Sequence, residues 1–326
     1  MNVVSLFSGC GGLDLGFIQA GFNVIWANDF DKFAVQSYEH NIGKHIVHGD
    51  LNDIDVTEIP SHDVLIGGFP CQPFSMMGQQ QGFNDTRGTL FFNIEQIILH
   101  HRPKIVVLEN VRTLTTHDNG RTYAVITERL QEAGYNIHAQ VLNSADYGVP
   151  QTRNRIFIVC FRGDLNVQFE FPQPIPLANT LQDVLEQNVS SKYYLSYRIL
   201  PTILAEGTKT YKAKAEIDLS VARPLCATMA KMHRASQDNY VTQPSQLAEE
   251  AGKTSVRRLT PRECARLQGF PENPYYEIVV SDSQAYKQFG NAVTVNVAYH
   301  LAMQILHTIN GQVGDINELQ IHGSYQ

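Results

Sequence analysis

The chain has 326 residues, of which 43% are hydrophobic and 17% are charged, and its formal net charge at pH 7 is −7. This composition excludes wholesale disorder, and the length predicts one large domain plus a smaller one. Every apolar run is far shorter than the roughly 18 residues of a membrane helix, so we expect no membrane partner.

The cysteines and the first residues indicate the cellular compartment. The five cysteines are an odd number, are widely spaced and include no C-x-x-C pair, which argues against a disulfide framework or a zinc site. They are Cys10, Cys71, Cys160, Cys226 and Cys264. The start, MNVVSLFSG, lacks the basic region and apolar core of a secretory signal. We therefore expect a reducing, cytoplasmic location.

Short β-branched or aromatic runs alternate with stretches of helical spacing over the first 161 residues. The runs that predict strands are residues 3–7, 24–28, 45–48, 64–67, 105–109, 137–142 and 156–161. This alternation predicts an α/β fold, with a mostly parallel sheet covered by helices on both faces. In such sheets, ligands bind at the carboxyl ends of the strands.

The alternation stops after residue 161. The proline-rich residues 171–176 predict a linker, and no clear pattern follows until about residue 258. There, Thr260-Pro261-Arg262-Glu263 has the chemistry of a helix start. Apolar residues at every fourth position over 293–305 predict an amphipathic helix that docks back on the sheet. We therefore divide the chain into residues 1–175, 176–284 and 285–326.

The net charge hides an asymmetry along the chain. Residues 192–266 contain 13 Lys and Arg against 7 Asp and Glu, whereas the remaining residues together carry −13. A basic segment in an acidic protein is typical of a chain that meets phosphate with one face only. An unevenly charged solvated surface is the alternative interpretation.

Three motifs at predicted strand ends outline a nucleoside pocket. The turn that runs from Phe7 to Gly12 is glycine-rich, so its backbone can approach a ligand closely. Asp14 stands where a dinucleotide motif has its third glycine, so this is not such a motif. Asp29 follows the second strand and can accept the ribose hydroxyls, while Asp50 follows the third and is placed for an adenine amino group. Either Asp alone is more often a helix cap or a turn residue, but together they outline such a pocket.

Four further residues carry candidate chemistry. Cys71 lies between two prolines after the fourth strand, where a rigid loop can hold a nucleophile, although lone cysteines are more often buried hydrophobes. Glu109 reaches the same edge and can act as a proton donor if burial raises its pKa. Arg153 and Arg155, two residues apart before the seventh strand, can grip an anionic or carbonyl-rich ligand. A surface pair is the other interpretation of these arginines.

The whole sequence resembles the bacterial DNA (cytosine-5) methyltransferases of the restriction-modification type. Its blocks occur in the order of that family: FSGCGGLDLGF, ANDFDKFA, HGDL, GGFPCQPFS, RGTLFFNI, ENV, DYGVPQTRNR, RRLTPRECARLQGFP and KQFGNAVTVNV. Only about residues 171–255 lack a block. The resemblance implies a Rossmann-like S-adenosylmethionine-dependent methyltransferase sheet with a smaller target-recognition domain.

The resemblance also implies a mechanism. Cytosine C5 is a poor nucleophile, but addition of a thiolate at C6 makes it reactive. By similarity Cys71 is that thiolate, and Glu109 holds and protonates ring N3. Arg155 binds the O2 carbonyl and Arg153 supports the same pocket. The target base must first be flipped out of the duplex, and no metal is required.

The resemblance assigns functions to the three parts of the chain. Residues 1–175 become the catalytic and cofactor-binding domain, residues 176–284 the target-recognition domain and hinge, and residues 285–326 a segment returning to the catalytic domain. The S-adenosylmethionine pocket carries over onto Phe7, Cys10, Gly12, Asp29, Phe30, Asp50, Leu51, Leu90, Asn291 and Ala292. Ser75 and Arg87 become contacts to the phosphates of double-stranded DNA. The cognate restriction endonuclease is expected as a genetic rather than a physical partner.

Two alternatives remain at this point. One is an RNA (tRNA) cytosine-5 methyltransferase, because tRNA-directed relatives share the catalytic blocks, although they carry a short motif of their own that is not seen here. The other is a binding module that has lost catalysis, against which the presence of Cys71, Glu109 and Arg155 counts.

Overall fold

A computed structural model describes residues 1–70, 90–205, 216–231, 233 and 237–311. Within them, seven strands form one sheet in the order β3-β2-β1-β4-β5-β7-β6. The strands are β1 (Asn2–Leu6), β2 (Asn23–Asp29), β3 (Ile46–His48), β4 (Val64–Gly68), β5 (Ile105–Val111), β6 (Tyr135–Asn143) and β7 (Asn154–Arg162). Each coincides with a predicted run, and the α/β fold is confirmed.

One strand departs from the parallel arrangement. The pairs among β1 to β5 are parallel, whereas β7 lies between β5 and β6 and runs antiparallel to both. The link from β6 to β7 contains only a short 3-10 turn, Ser144–Tyr147, which suffices for antiparallel neighbours but not for a parallel crossover. This reversal brings the start of β7 to the edge where β5 ends, with Arg155 opposite Val111.

Helices cover both faces of the sheet. They are α1 (Gly12–Gln19), α2 (Lys32–Asn41), α3 (Leu90–His101), α4 (Arg121–Glu132) and α9 (Val295–Asn310). One core contains Phe17 of α1 with Val297 and Leu301 of α9, and the other face carries the buried side chains of α3 and α4. The predicted C-terminal helix thus docks back on the sheet. Helix α1 can approach it closely because a Cβ on Gly16 would lie 2.4 Å from that of Ala298.

A second, smaller sheet occupies part of the basic stretch. Its strands are β8 (Tyr194–Ser196), β9 (Tyr240–Thr242) and β10 (Lys253–Arg258), with β10 antiparallel to both neighbours. The helices beside and after it are α5 (Leu200–Leu204), α6 (Gln246–Glu250), α7 (Pro261–Leu267) and α8 (Asp282–Asn291). The predicted start of α7 is confirmed, because Thr260 and Glu263 form a capping box.

Candidate active site

The carboxyl ends of four neighbouring strands open on one cavity with a volume of about 430 Å³. The C-terminal end of α8 and the residues that follow it form the opposite wall. Ten of the predicted site residues line this cavity: Phe7, Cys10, Gly12, Asp29, Phe30, Leu90, Glu109, Arg155, Asn291 and Ala292. The structure therefore brings together residues that lie as far apart in sequence as 7 and 292.

The glycine-rich turn after β1 is shaped by backbone conformations that favour glycine. Gly9 and Gly11 have φ values of 58° and 91°. Gly12 has ordinary φ but no space, since a Cβ there would lie 2.3 Å from the carbonyl oxygen of Val293. The turn is thus pressed against the C-terminal segment, and two of its residues in the cavity lining, Gly9 and Gly12, have no side chain.

A buried hydrogen-bond network supports this turn from below. The carboxylate of Asp14 accepts hydrogen bonds from Ser5 Oγ at 3.0 Å and Tyr38 OH at 2.8 Å. Burial raises the pKa of Asp14 to about 6. The residue that breaks the dinucleotide motif thereby joins α1 to β1 and α2.

Asp29 is positioned by backbone donors at the end of β2. Its Oδ2 accepts from the Gly9 N–H and its Oδ1 from the Asp31 N–H, both at 2.8 Å. Burial raises the pKa of Asp29, while these two hydrogen bonds favour the charged form. Each carboxylate oxygen retains a lone pair for a further donor. The neighbouring Phe30 ring is 70% exposed at the cavity wall.

Asp50 and Leu51 are not brought to the cavity lining. The Asp50 carboxylate accepts hydrogen bonds from the Asn52 N–H at 3.0 Å and from Asn52 Nδ2 at 2.7 Å. It thereby caps the 3-10 turn Leu51–Asp53. Leu51 is buried in the core beside α3.

Glu109 and Arg155 form an ion pair in the wall of the cavity. Arg155 Nε lies 3.1 Å from Glu109 Oε1, and the Glu109 side chain has little solvent exposure. Burial raises the pKa of the Glu109 carboxyl, and the charges of Arg155 and Arg153 oppose that shift. Gly68 leaves room for this carboxyl, since a Cβ there would lie 3.1 Å from Glu109 Oε2.

Arg153 lies behind the cavity rather than in its lining. Its buried guanidinium donates hydrogen bonds to the carbonyl oxygens of Leu225, Gly290 and Ala292 at 2.9–3.1 Å. Burial lowers its pKa to about 9, so it remains charged at neutral pH. The carbonyl groups that Arg153 binds therefore belong to the protein itself, whereas the sequence led us to expect carbonyl or anionic groups of a ligand.

Several residues at the site were not singled out from the sequence. Asn110 Nδ2 donates to the carbonyl of Phe69 at 2.8 Å and so joins the end of β5 to the residues after β4. Lys287 bonds to Asp31 across the cavity rim, and Gln288 Nε2 donates to the Phe33 carbonyl at 2.8 Å. The sequence could have indicated Asn110, Lys287 and Gln288, because they lie in the blocks ENV and KQFGNAV.

Cys71, Ser75 and Arg87 lie outside the described residues. Pro70 and Leu90, which flank residues 71–89, both line the cavity. Among the residues that the structure does describe, no three His, Cys, Asp or Glu side chains are grouped as metal ligands. No helix in that part of the chain is long and apolar enough to cross a membrane.

Comparison with known proteins decides the family. The family model of the C-5 cytosine-specific DNA methylases matches residues 1–307. The chain belongs to this family. As a member, it is a DNA (cytosine-5) methyltransferase, and the RNA alternative loses support because the family that matches is one of DNA methylases.

Similar methylases match along almost their full length. The Type II methyltransferase M.NlaX of Neisseria lactamica is 43% identical, with 93% of this chain and 96% of that protein covered. M.HhaI of Haemophilus parahaemolyticus is 36% identical, with 95% of each covered. Among solved structures, DNMT2 of Spodoptera frugiperda superposes with a TM-score of 0.75 at 18% identity, covering 95% of this chain and 99% of that one. The last comparison confirms the methyltransferase fold.

Proposed function

We propose that this methylase uses S-adenosylmethionine to methylate one cytosine in a short, specific sequence of double-stranded DNA. It acts as the modification enzyme that protects DNA from a cognate restriction endonuclease, a genetic partner. The Type II names of similar methylases at 36–43% identity support this role. We assign the activity to the cytoplasm because the substrate is cellular DNA.

The Glu109–Arg155 pair carries the proposal for the reaction. A flipped cytosine presents N3 and O2 as neighbouring atoms on one edge of its ring, so two adjacent side chains can bind both. Glu109 in its protonated form donates to N3, and Arg155 donates to O2. A carboxyl with a raised pKa beside a fixed guanidinium suits this task.

Cys71 is the proposed nucleophile. Its thiolate forms a bond to C6, the ring electrons move toward C5, and Glu109 delivers its proton to N3. C5 then bonds to the methyl group, and S-adenosylhomocysteine is the leaving group. Loss of the C5 proton to solvent, return of the N3 proton to Glu109 and breakage of the bond between sulfur and C6 release 5-methylcytosine and restore the thiolate.

The described residues fit S-adenosylmethionine, which supplies the methyl group when bound. Asp29 has free lone pairs toward the cavity for the ribose hydroxyls. Phe7 and Phe30 offer rings to the adenine, and the bare turn at Gly12 admits the remaining chain of the cofactor. Cys10, Leu90, Asn291 and Ala292 complete the proposed pocket. We also propose Asp50 and Leu51 as cofactor contacts, although neither lines the cavity.

We keep the division into a catalytic domain (1–175), a target-recognition domain with hinge (176–284) and a returning segment (285–326). The small sheet supports it with a core of its own, which includes Leu195, Tyr240 and Val256. In this division α7 belongs to the hinge, and its buried Cys264 shares a core with Leu15 of α1. Ser75 and Arg87 are the proposed phosphate contacts.

The experiment uses S-adenosylmethionine with a labelled methyl group, offered together with duplex DNA or tRNA. We expect 5-methylcytosine in DNA alone, at one short motif that bisulfite sequencing identifies. The Cys71→Ser variant, which keeps the binding residues, should bind DNA but transfer no methyl group. Label in tRNA, methylation in every sequence context, or substantial turnover by Cys71→Ser would contradict the proposal.

A further inference from the structure

Arg153 bonds to two segments that belong to different binding sites in the proposed function. Gly290 and Ala292, whose carbonyls accept two of its hydrogen bonds, line the cofactor cavity. Leu225, whose carbonyl accepts the third, lies in the proposed target-recognition region. One rigid, buried guanidinium therefore holds both segments at 2.9–3.1 Å. Because the guanidinium is rigid and planar, a displacement of one segment moves the N–H groups that bond to the other segment.

The same two segments also touch each other without any spare space. A Cβ on Gly290 would lie 2.3 Å from the backbone nitrogen of Ala227 and 2.4 Å from the carbonyl carbon of Cys226. Both neighbours are backbone atoms, which cannot turn aside as a flexible side chain can. Gly290 in the wall of the cofactor cavity therefore lies directly against the backbone of Cys226 and Ala227.

Gln151 adds a second polar connection to the recognition side. Its Oε1 accepts from the Leu225 N–H at 2.9 Å, and its Nε2 donates to the Leu267 carbonyl at 2.6 Å. The Thr152 N–H donates to the Ala222 carbonyl at 2.8 Å. The strand start that presents Arg155 to the cavity is thus hydrogen-bonded to residues 222–225.

We propose that Arg153 is a positioning residue that couples cofactor binding to DNA binding. The inference rests on the proposed function, in that residues 290–293 bind S-adenosylmethionine and residues 222–229 belong to the DNA-recognition region. When the cofactor binds and orders residues 290–293, the Arg153 guanidinium also orders residues 222–229. DNA then binds a segment that is already ordered, so DNA binding costs less conformational entropy. Linkage requires that DNA tighten cofactor binding by the same factor.

The first experiment measures the DNA dissociation constant with and without saturating S-adenosylhomocysteine, using the duplex motif found by sequencing. Couplings of this kind are typically about 5–150-fold, and we expect at least about fivefold in the wild type. Arg153→Lys keeps the charge but loses the fork, and should reduce the ratio to below about twofold. Arg162→Lys is the matched control, because Arg162 lies at the other end of β7 and donates to the Arg102 carbonyl. It should keep the wild-type ratio.

A ratio near one in the wild type, or an unchanged ratio in a folded Arg153→Lys, would overturn the proposal. If Arg153→Lys does not fold, hydrogen exchange on the wild type with S-adenosylhomocysteine alone decides. We expect slower exchange at the amides of Ala222 and Leu225 as well as along the cavity. Protection confined to the cavity overturns the coupling alone. If no amide is protected, both the proposed cofactor site and the coupling are contradicted.

Discussion

At the scale of single residues, the proposed chemistry depends on a carboxyl that is both buried and paired. Glu109 has little contact with solvent, and Arg155 Nε lies 3.1 Å from it. Burial raises its pKa and the guanidinium limits that rise. The raised pKa increases the fraction of Glu109 that is protonated near neutrality and can give a proton to a bound base.

We predict that Glu109→Gln lowers kcat by about 10²–10⁴-fold, because the amide can contact N3 but cannot protonate it. In the wild type the protonated fraction falls as pH rises through the raised pKa, so kcat should decline on the alkaline side. Methylation rates at saturating cofactor and DNA, measured across pH, test this. Glu95→Gln is the control, because Glu95 also lies near an arginine, Arg129, but outside the cavity. A Glu109→Gln enzyme with a normal rate would refute the assigned role.

The two aspartates of the predicted nucleoside pocket differ in the structure. Asp29 accepts the Gly9 N–H and lines the cavity, whereas the Asp50 carboxylate bonds to Asn52. Both follow strand ends, which is all that the sequence could indicate. Strand β3, which precedes Asp50, has three residues and lies at the sheet edge.

We predict that Asp29→Ala weakens S-adenosylmethionine binding by about tenfold or more. Hydrogen bonds to a charged group contribute about 1.5–3 kcal/mol, and about 1.4 kcal/mol corresponds to tenfold. Calorimetry of cofactor binding measures the change, and excess cofactor should restore much of the turnover. Asp50→Asn is measured in parallel, and a comparable loss there extends the nucleoside pocket to the third strand. If Asp29→Ala binds S-adenosylmethionine with normal affinity, Asp29 only shapes the turn and does not bind the cofactor.

The arginine pair shows where residue-level prediction reached its limit. Side chains two residues apart on an extended segment point the same way, so Arg153 and Arg155 were expected to bind one ligand together. Strand β7, however, begins at Asn154, so Arg153 lies before the strand, where the alternation of side chains does not apply. Its partners at 225, 290 and 292 are distant in sequence, and no local pattern indicates them.

At the scale of elements, strands with a strong local pattern were predictable and the small sheet was not. The large sheet is built from buried β-branched runs such as those of β4 and β5. Strands β8 and β9 have three residues each, too few to show a period, and they are defined by pairing with β10. Besides an apolar core that contains Val241 of β9 and Cys264 of α7, a polar contact joins this sheet to α7: Arg257 of β10 and Glu263 are both fully buried and bond at 2.6 Å.

We predict that Glu263→Gln lowers the free energy of unfolding by about 3–5 kcal/mol, because it leaves the Arg257 charge buried without its partner. Urea denaturation measures the loss. Glu132→Gln removes the carboxylate of an exposed ion pair with Arg129 and should cost at most about 1 kcal/mol. Equal, small losses in both variants would show that the buried pair does not hold the small sheet to α7.

At the scale of the whole molecule, part of the excess positive charge of residues 192–266 is paired with carboxylates of the protein itself. Lys192 pairs with Asp282, and Arg262 and Arg266 lie 3.7 and 3.2 Å from the carboxylate of Glu272. These two carboxylates lie outside residues 192–266, so the count of charges in that segment does not include them. The count therefore overstates the positive charge that the segment can offer to phosphate.

We predict that replacing Lys209, Lys212 and Lys214 with glutamine weakens DNA binding and flattens its salt dependence. These lysines lie outside the described residues and belong to the basic excess. The slope of log K against log salt should fall by about 0.9 for each phosphate that the variant no longer neutralises. Lys104→Gln, which removes a lysine paired with Asp63, should leave the slope unchanged. An unchanged slope in the triple variant would place the phosphate-binding residues elsewhere.

In the proposed reaction, Cys71 bonds to C6 of a flipped cytosine held by Glu109 and Arg155, and the roles assigned to Glu109 and Arg155 depend on this step. The most direct measurement uses duplex DNA with 5-fluorocytosine at the methylated position, incubated with the enzyme and S-adenosylmethionine. Fluorine cannot leave C5 as a proton does, so the final elimination is blocked. We expect a stable covalent complex, with the DNA attached to the peptide that contains Cys71 in mass spectrometry. No adduct in an active enzyme, or attachment at another cysteine, would contradict the proposed reaction.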